Sequence, residues 1–233
     1  MPKLYLIPNS LTDSANDDFL TVRNQEIIRS LKYFMIESPK PAHRLLKSAG
    51  VPTPFQDIFF QELSEHTPDT ELNEIIKPLA EGYSMGLITD AGYPALADPG
   101  EKVVKLAHNL KIQVVPLIGA SSIMLALAAS GLNAEQFTFH GYLPVKKNER
   151  IQKIRMLCSD MGRNGYTQIF IETPYRNQAL FDDIAAHAGE DLFLCIACDL
   201  SSDSEMILTK SIREWRKIRP DIHKRQVVFL LGN

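Results

Sequence analysis

The 233-residue sequence contains only three cysteines, Cys158, Cys195 and Cys198. So small and odd a number cannot build a disulfide framework, which predicts a protein of the reducing cytoplasm. Cys195 and Cys198 are spaced like a metal-binding or redox pair, but side chains three residues apart in a strand point to opposite faces. The six histidines are scattered, and no second cysteine pair completes a zinc set. The sequence therefore predicts no metal site.

The chain also lacks a surplus of positive charge. It has 25 Lys and Arg residues against 28 Asp and Glu, a formal net charge of −3, so contact with nucleic acid would need a local basic patch. The stretch Ile112–Ala134 has no charged side chain and is long enough to cross a bilayer. Because Pro116, Gly119 and several polar residues interrupt it, we interpret it as strand, turn and helix and predict no membrane contact.

Common nucleotide-binding and hydrolase signatures are missing or misplaced. There is no Gly-x-Gly-x-x-Gly and no P-loop sequence, so nicotinamide and P-loop functions lose their main support. The segment Gly82–Gly86 matches the nucleophile elbow of serine hydrolases, which works only between a strand and a following helix. Here a helical pattern precedes it and a strand pattern follows, so we reject that interpretation.

Short apolar runs alternate with helical periods along the chain. Leu4–Ile7, Tyr33–Ile36 and Leu87–Thr89 are typical of strands, and the spacing predicts a helix over Leu72–Ala80. Such alternation predicts an α/β fold whose first sheet is mostly parallel. Consecutive strand patterns later in the chain predict a mixed second sheet. We place a domain boundary near Pro116, which divides the chain into residues 1–115 and 116–233.

Helix starts are also marked. Ser38 precedes Pro39 in a position that can cap a helix, and Asp98 is predicted as the N-cap of a helix with Pro99 at its first position and Glu101 three residues after the cap.

Three predicted strands end in loops suited to ligand binding. The loops are Asp90–Gly100, Pro116–Ser122 and Glu172–Arg176. In open α/β sheets ligands bind beyond the carboxyl ends of strands, where small residues let a ligand approach the backbone. We expect the three loops to contribute to a single crevice between two α/β halves.

These loops, with residues 128–132 and Phe139–Pro144, resemble the tetrapyrrole methylase superfamily, and within it the branch that methylates a cytidine ribose 2′-oxygen of small-subunit ribosomal RNA. The resemblance covers nearly the whole chain. It implies two α/β domains with S-adenosylmethionine (SAM) in the cleft between them, usually in a homodimer. Two alternatives stay open: a methyltransferase of the same fold acting on a small acceptor such as a tetrapyrrole, and a cofactor-binding protein without catalysis.

By motif, the resemblance assigns cofactor contacts to eleven residues. They are Pro8, Asp90, Gly92, Tyr93, Ser121, Ser122, Glu172, Leu200, Ser201, Val227 and Val228. A ribose hydroxyl is a poor nucleophile, so a general base would help. Of the carboxylates near predicted strand ends (Glu37, Asp90 and Glu172), Glu172 is our first candidate for the base; a helix-cap or salt-bridge role is the alternative for each.

The candidate RNA-binding residues are basic side chains along one predicted helix and just before it: Lys146, Lys147, Arg150, Lys153 and Arg155. A second basic cluster comprises Arg213, Arg216, Lys217, Arg219, Lys224 and Arg225. The alternative for both is a solvated amphipathic helix face, because acidic residues are interspersed.

The sequence departs from the ribosomal RNA branch at two places. Pro8–Leu11 lacks the glycine of that branch's Pro-x-Gly-Asn-Leu turn, and Glu37–Pro41 replaces its Glu-Asp-Thr-Arg signature. Both departures bear on the substrate more than on the cofactor.

Overall fold

The computed structural model describes residues 1–12 and 19–233. Contacts divide the chain into two compact units, Met1–Ser121 and Ser122–Asn233. The boundary predicted after residue 115 falls within the last strand of the first unit, β5 (Gln113–Pro116). The limits of independently folding domains stay a prediction.

The first unit is built on a five-stranded parallel sheet in the order β3-β2-β4-β1-β5. Its elements before β5 are β1 (Lys3–Ile7), α1 (Val22–Ser30), β2 (Tyr33–Ile36), α2 (Pro39–Ser48), a short 3-10 helix (Phe55–Asp57), β3 (Phe59–Glu62), α3 (Asp69–Ile75), α4 (Lys77–Ala80), β4 (Met85–Ile88) and α5 (Glu101–Asn109). The prediction of a mostly parallel first sheet is confirmed.

Both faces of this sheet are covered by helices. On one face Leu87 of β4 packs with Leu79 and Val103 from the helices α3 to α5. On the other, Ile88 packs with Ile28 of α1 and Leu46 of α2. Because successive side chains of a strand point to opposite faces, a strand buried on both sides needs an unbroken apolar run. All four residues of β4 are buried for this reason.

The second unit is built on a mixed sheet in the order β6-β7-β10-β8-β9, in which only β6 and β7 pair in parallel. Its elements are α6 (Ser122–Ser130), β6 (Phe137–Tyr142), α7 (Lys147–Asn164), β7 (Thr167–Ile171), α8 (Asn177–His187), β8 (Phe193–Cys198), β9 (Met206–Ser211), α9 (Ile212–Trp215) and β10 (Val227–Gly232). The mixed second sheet is confirmed.

The core of the second unit lies between its sheet and the helices α7, α8 and α9. Phe170 of β7 stacks on Phe229 of β10, and Phe181 of α8 meets the Trp215 indole edge-on. The helix α6 contacts β8, β9 and β10. Cys198 belongs to the core cluster and Cys195 does not, and both residues are buried.

Several elements differ from the sequence prediction. The strand predicted at Leu87–Thr89 runs from Met85 to Ile88. The single helix expected over Leu72–Ala80 is two, because Pro78 has no backbone N–H to continue the hydrogen bonding of α3. The strand β3 was not predicted; it is a four-residue edge strand whose side chains are mostly exposed, so it carries no apolar run.

The uncharged stretch from 112 to 134 contains β5, a loop and α6. Within residues 1–12 and 19–233, no helix combines the length and apolarity that a membrane crossing requires. Over the same residues, no group of three or more His, Cys, Asp or Glu side chains is arranged to hold a metal ion.

Candidate functional site

The carboxyl ends of β4, β1 and β5 lie side by side at one edge of the first sheet, because these strands are adjacent and parallel. Each strand is followed by a loop that carries predicted cofactor residues. The residues that this edge brings together are Pro8, Asp90, Gly92, Tyr93 and Ser121. In parallel sheets such an edge is where ligands bind.

Asn9 joins the first two of these loops. Its backbone N–H donates to the Gly92 carbonyl over 2.8 Å, and the Gly92 N–H donates back to Asn9 over 3.1 Å. The Asn9 side-chain amide donates to the carbonyls of Thr89 (3.0 Å) and Asp90 (3.3 Å). Asn9 is buried; sequence reasoning noted its turn as a departure but did not single the residue out.

The loop after β5 is fixed to the loops after β4 and β1. The Tyr93 hydroxyl donates to the Leu117 carbonyl over 2.8 Å, and burial raises the pKa of Tyr93. Gly119 lies so close to Pro8 that a β-carbon on it would overlap the proline ring. Beyond Gly119, the Ser121 hydroxyl is buried and has no hydrogen-bond partner among the described residues, so it is available to a ligand.

A network of carboxylates lies at the same edge. The Thr89 hydroxyl is 3.0 Å from Glu37 Oε2 and 2.9 Å from Asp98 Oδ2, and Glu37 Oε2 also accepts from the Asp90 N–H over 3.1 Å. One hydroxyl has one proton, so it cannot donate to both carboxylates at once. Burial raises the pKa of Asp98 to about 6, and repulsion from Glu37, Asp90 and Glu65 adds to the shift.

The prediction that Asp98 caps the following helix is wrong. The helix α5 begins at Glu101, and Gly100 takes the cap position with φ of 135°, a conformation that glycine adopts readily. The Asp98 side chain points instead to Thr89.

Ser38 occupies the predicted cap position of α2, but its side chain makes no capping bond. Its hydroxyl instead lies 2.6 and 2.8 Å from the two Asp90 carboxylate oxygens. Farther along the Asp90 loop, Ala95 and Ala97 have positive φ of 62° and 64°. Such strain persists only where the surroundings fix the backbone, as at functional sites.

A second edge, in the second unit, carries the remaining predicted residues. Val228 at the start of β10 pairs with Ile171 at the end of β7, and Val227 pairs with Cys198 at the end of β8. The loops after β7 and β8 therefore lie next to the start of β10. The predicted residues at this edge are Glu172, Leu200, Ser201, Val227 and Val228, while Ser122 is the first residue of α6.

Glu172 uses only one of its two oxygens. Its buried Oε1 accepts from Arg176 Nη2 (2.6 Å), Arg176 Nε (2.9 Å) and the Thr173 N–H (2.6 Å). Oε2 is buried and has no partner in the described part of the chain. The salt bridge that the sequence left as an alternative is present, and one lone acceptor oxygen is left beside it.

The predicted RNA-binding residues do not share one environment. Lys146 and Lys147 are exposed; Lys146 pairs with Glu149, and Lys147 lies 4.0 Å from Asp183. Arg150 is buried, with its Nε and Nη2 donating to Asp183 Oδ2 over 2.8 and 2.6 Å. Because its guanidinium is committed to that pair, we withdraw Arg150 from the RNA-binding set.

The second basic cluster is largely neutralised. Four of its arginines pair with carboxylates: Arg213, Arg216, Arg219 and Arg225. Among these pairs, the hydrogen bond from Arg225 to Asp199 raises the pKa of the Arg225 guanidinium. These ion pairs offset much of the positive charge of the cluster, although exposed pairs of this kind add little to stability.

Comparison with known proteins gives a consistent relationship. Residues 14–215 match the family model described as Tetrapyrrole (Corrin/Porphyrin) Methylases. The chain is 29% identical to Ribosomal RNA small subunit methyltransferase I of Haemophilus influenzae over 98% of this chain and 77% of that protein. It is 30% identical to the protein of the same name from Xylella fastidiosa over 94% of this chain and 78% of that one.

Solved structures share the fold. The methyltransferase CobJ superposes with a TM-score of 0.64 at 13% identity, over 100% of this chain and 95% of that one. The cobalt precorrin-4 methyltransferase CbiF superposes with a TM-score of 0.57 at 16% identity, over 99% and 94%. The matched sequence, the relatives and the two-sheet fold agree, and the predicted enzyme class is confirmed: the chain belongs to the tetrapyrrole (corrin/porphyrin) methylase family and is a methyltransferase.

Proposed function

We propose that the protein transfers a methyl group from SAM to a ribose 2′-oxygen of small-subunit ribosomal RNA. One structural observation carries the chemistry: two buried, unpartnered polar atoms, Ser121 Oγ and Glu172 Oε2, occur at the predicted cofactor loops. Buried polar atoms normally have partners, so each of these two atoms, one in each unit, is available to a ligand group at its own sheet edge. The choice of RNA is supported by the names of the relatives, which do not favour the small-acceptor alternative.

The first unit would contact the cofactor through the loops at its own sheet edge. On the first unit, Gly92 and the loop around Gly119 bring bare backbone close to the strand ends, and Ser121 offers an unpaired hydroxyl. The nearby carboxylates of Glu37 and Asp90 suit a ligand that carries positive charge. When bound, SAM supplies an already activated methyl group on a sulfonium, so the protein's main task is to position the acceptor.

Glu172 is the proposed general base. Its Oε2 would accept the proton of the ribose hydroxyl while the ribose oxygen forms its bond to the methyl carbon and the carbon–sulfur bond breaks. The ion pair of Oε1 with Arg176 fixes the carboxyl orientation. A positioned base accelerates such a step by roughly 10²–10⁴. Glu172→Gln keeps the size and shape of the side chain and should lose turnover by that factor; unchanged turnover would remove Glu172 from the base role.

The direct test of the substrate is transfer of a labelled methyl group to small ribosomal subunits isolated from cells that lack this gene. The proposal predicts label in one ribose of the RNA, located by mass mapping. Transfer to a tetrapyrrole but not to subunits would establish the small-acceptor alternative. SAM binding without transfer to either acceptor would favour a protein that binds the cofactor without catalysis.

We also propose that the protein works as a homodimer in the cytoplasm. The helix α6 is apolar on all sides, and Met124 and Leu125 are exposed on the face turned away from its sheet. A helix of this composition is normally buried. Light scattering should give twice the chain mass, and Met124→Glu with Leu125→Glu should give the monomer.

The proposed cytoplasmic location is supported by the three free thiols, which fit a reducing compartment.

A further inference from the structure

We infer that Tyr175, together with His223 and Lys224, forms a platform on which a base of the RNA stacks. The inference rests on the proposed RNA substrate and deepens it, because it says where a nucleotide of that substrate binds. It concerns a surface of the second unit, where Tyr175 lies in the same loop as Glu172.

Tyr175 is unusual in its exposure. It follows Glu172 by three residues, yet 72% of its surface is open to solvent. Its ring meets His223 edge-on at a centroid distance of 6.3 Å, and Lys224 Nζ lies 5.6 Å from the ring centroid. An exposed aromatic ring flanked by a cation and an imidazole is suited to a nucleobase beside a phosphate.

The backbone around Tyr175 is fixed in place. The Lys224 N–H donates to the Pro174 carbonyl over 3.0 Å, and Lys224 itself has φ of 61°. On the other side of Tyr175, the buried Asn177 side chain donates to the Arg225 carbonyl over 2.7 Å. Two hydrogen bonds therefore join the loop before α8 to the loop before β10. The platform is preorganised, which lowers the entropic cost of binding.

The platform lies along the same sheet edge as the exposed lysines. Because β6 and β7 are parallel, with Tyr142 paired to Ile171, the segment after β6 that carries Lys146 and Lys147 lies at the edge where Tyr175 lies. Lys147 approaches Asp183 of α8, six residues beyond Asn177 and therefore about 9 Å along the helix. An aromatic ring and nearby lysines are the combination that binds single-stranded nucleic acid.

The test compares binding of two fluorescent probes: a short single-stranded RNA of mixed sequence, and the abasic ribose-phosphate chain of equal length. Tyr175→Ala should weaken binding of the RNA by roughly 5- to 150-fold and leave binding of the abasic chain unchanged. Tyr175→Phe should bind both probes like the natural protein. The matched control is Tyr83→Ala, which removes an exposed tyrosine of the first unit.

Lys224 gives a second, independent readout. Lys224→Asn keeps a residue that tolerates positive φ, and it should reduce the salt dependence of RNA binding by about one phosphate contact. An unchanged salt slope would exclude a phosphate contact of Lys224.

Failure of this inference can be told from failure of the proposed function. Equal loss of both probes in Tyr175→Ala would mean a merely structural role, and no loss of RNA binding would mean no stacking; either overturns the platform while methylation of small subunits stands. If the natural protein binds SAM but neither binds RNA nor methylates subunits, the RNA substrate is wrong and the platform with it.

Discussion

The backbones of Asn9 and Gly92 are joined by two hydrogen bonds of 2.8 and 3.1 Å, so the loop after β1 and the loop after β4 form one rigid unit. The Asn9 side chain strengthens the junction by donating to two carbonyls of the second loop.

Asn9→Ala should therefore loosen the junction. Loss of buried hydrogen bonds lowers the free energy of unfolding by about 1–3 kcal/mol. SAM binding should weaken because the loops lose the two side-chain hydrogen bonds to Thr89 and Asp90 and keep only the two backbone bonds. Denaturant unfolding and calorimetry measure the two effects. Asn133→Ala, which removes an exposed turn-forming asparagine of the second unit, should leave SAM affinity unchanged; an equal effect there would refute the link to Asn9.

Gly119 and Gly162 form a matched pair. A methyl group at Gly119 overlaps the Pro8 ring, whereas one at Gly162 in α7 meets nothing. Gly119→Ala should destabilise the protein by about 1–3 kcal/mol and weaken SAM binding by displacing Pro8. Gly162→Ala should stabilise α7 by about 0.5–1 kcal/mol and leave binding unchanged. Unaltered cofactor affinity in Gly119→Ala would contradict the position assigned to Pro8.

Asp98 should make stability depend on pH. Burial raises its pKa from 3.8 to about 6, so the native state keeps a proton that the unfolded chain releases. The contribution of Asp98 is fully present below about pH 3.8 and is lost as the pH rises through about 6.

Asp98→Asn removes this titration. At pH 7.5 the variant should be more stable than the natural protein by about 1 kcal/mol, a value reduced for partial exposure, and the difference should vanish near pH 4. Unfolding in urea across this range measures it. Asp57→Asn, at an exposed position, serves as the control; the same pH profile in both variants would argue against the buried network.

Substitutions at Arg150 and Lys147 should affect different properties: the first should lower stability and the second should weaken RNA binding. Arg150→Ala leaves the Asp183 carboxylate buried without its partner and should lower the free energy of unfolding by about 3–5 kcal/mol. Lys147→Ala changes an exposed side chain, so stability should move by less than about 0.5 kcal/mol, while RNA binding weakens and becomes less salt-dependent. Reversed effects would return Arg150 to the RNA-binding set.

Much of the fold could be predicted from local pattern. The strand Tyr33–Ile36 was predicted residue for residue, because a buried parallel strand needs a continuous apolar run and its ends are marked by polar residues. The edge strand β3 could not be predicted in this way, since its side chains are mostly exposed. Edge strands depend on hydrogen bonds to a neighbour that the local sequence does not reveal.

The candidate site, like the fold, could be predicted only where local sequence pattern determines it. The loops could be identified because glycine, proline and small residues follow apolar runs. The partners of individual side chains could not: Ser38 and Asp90 are 52 positions apart, and Arg150 and Asp183 are 33 apart. Both Ser38 and Asp98 were expected to cap helices, but their side chains bond instead to Asp90, 52 positions away, and to Thr89, nine positions away.

The central claim is that the loops at the carboxyl ends of β1, β4 and β5 bind a sulfonium nucleoside. Titration calorimetry of the folded protein with SAM and with its demethylated product S-adenosylhomocysteine tests it most directly. The account predicts a saturable heat for each, diminished in Gly119→Ala and retained in Gly162→Ala. Absence of heat with either compound would contradict it.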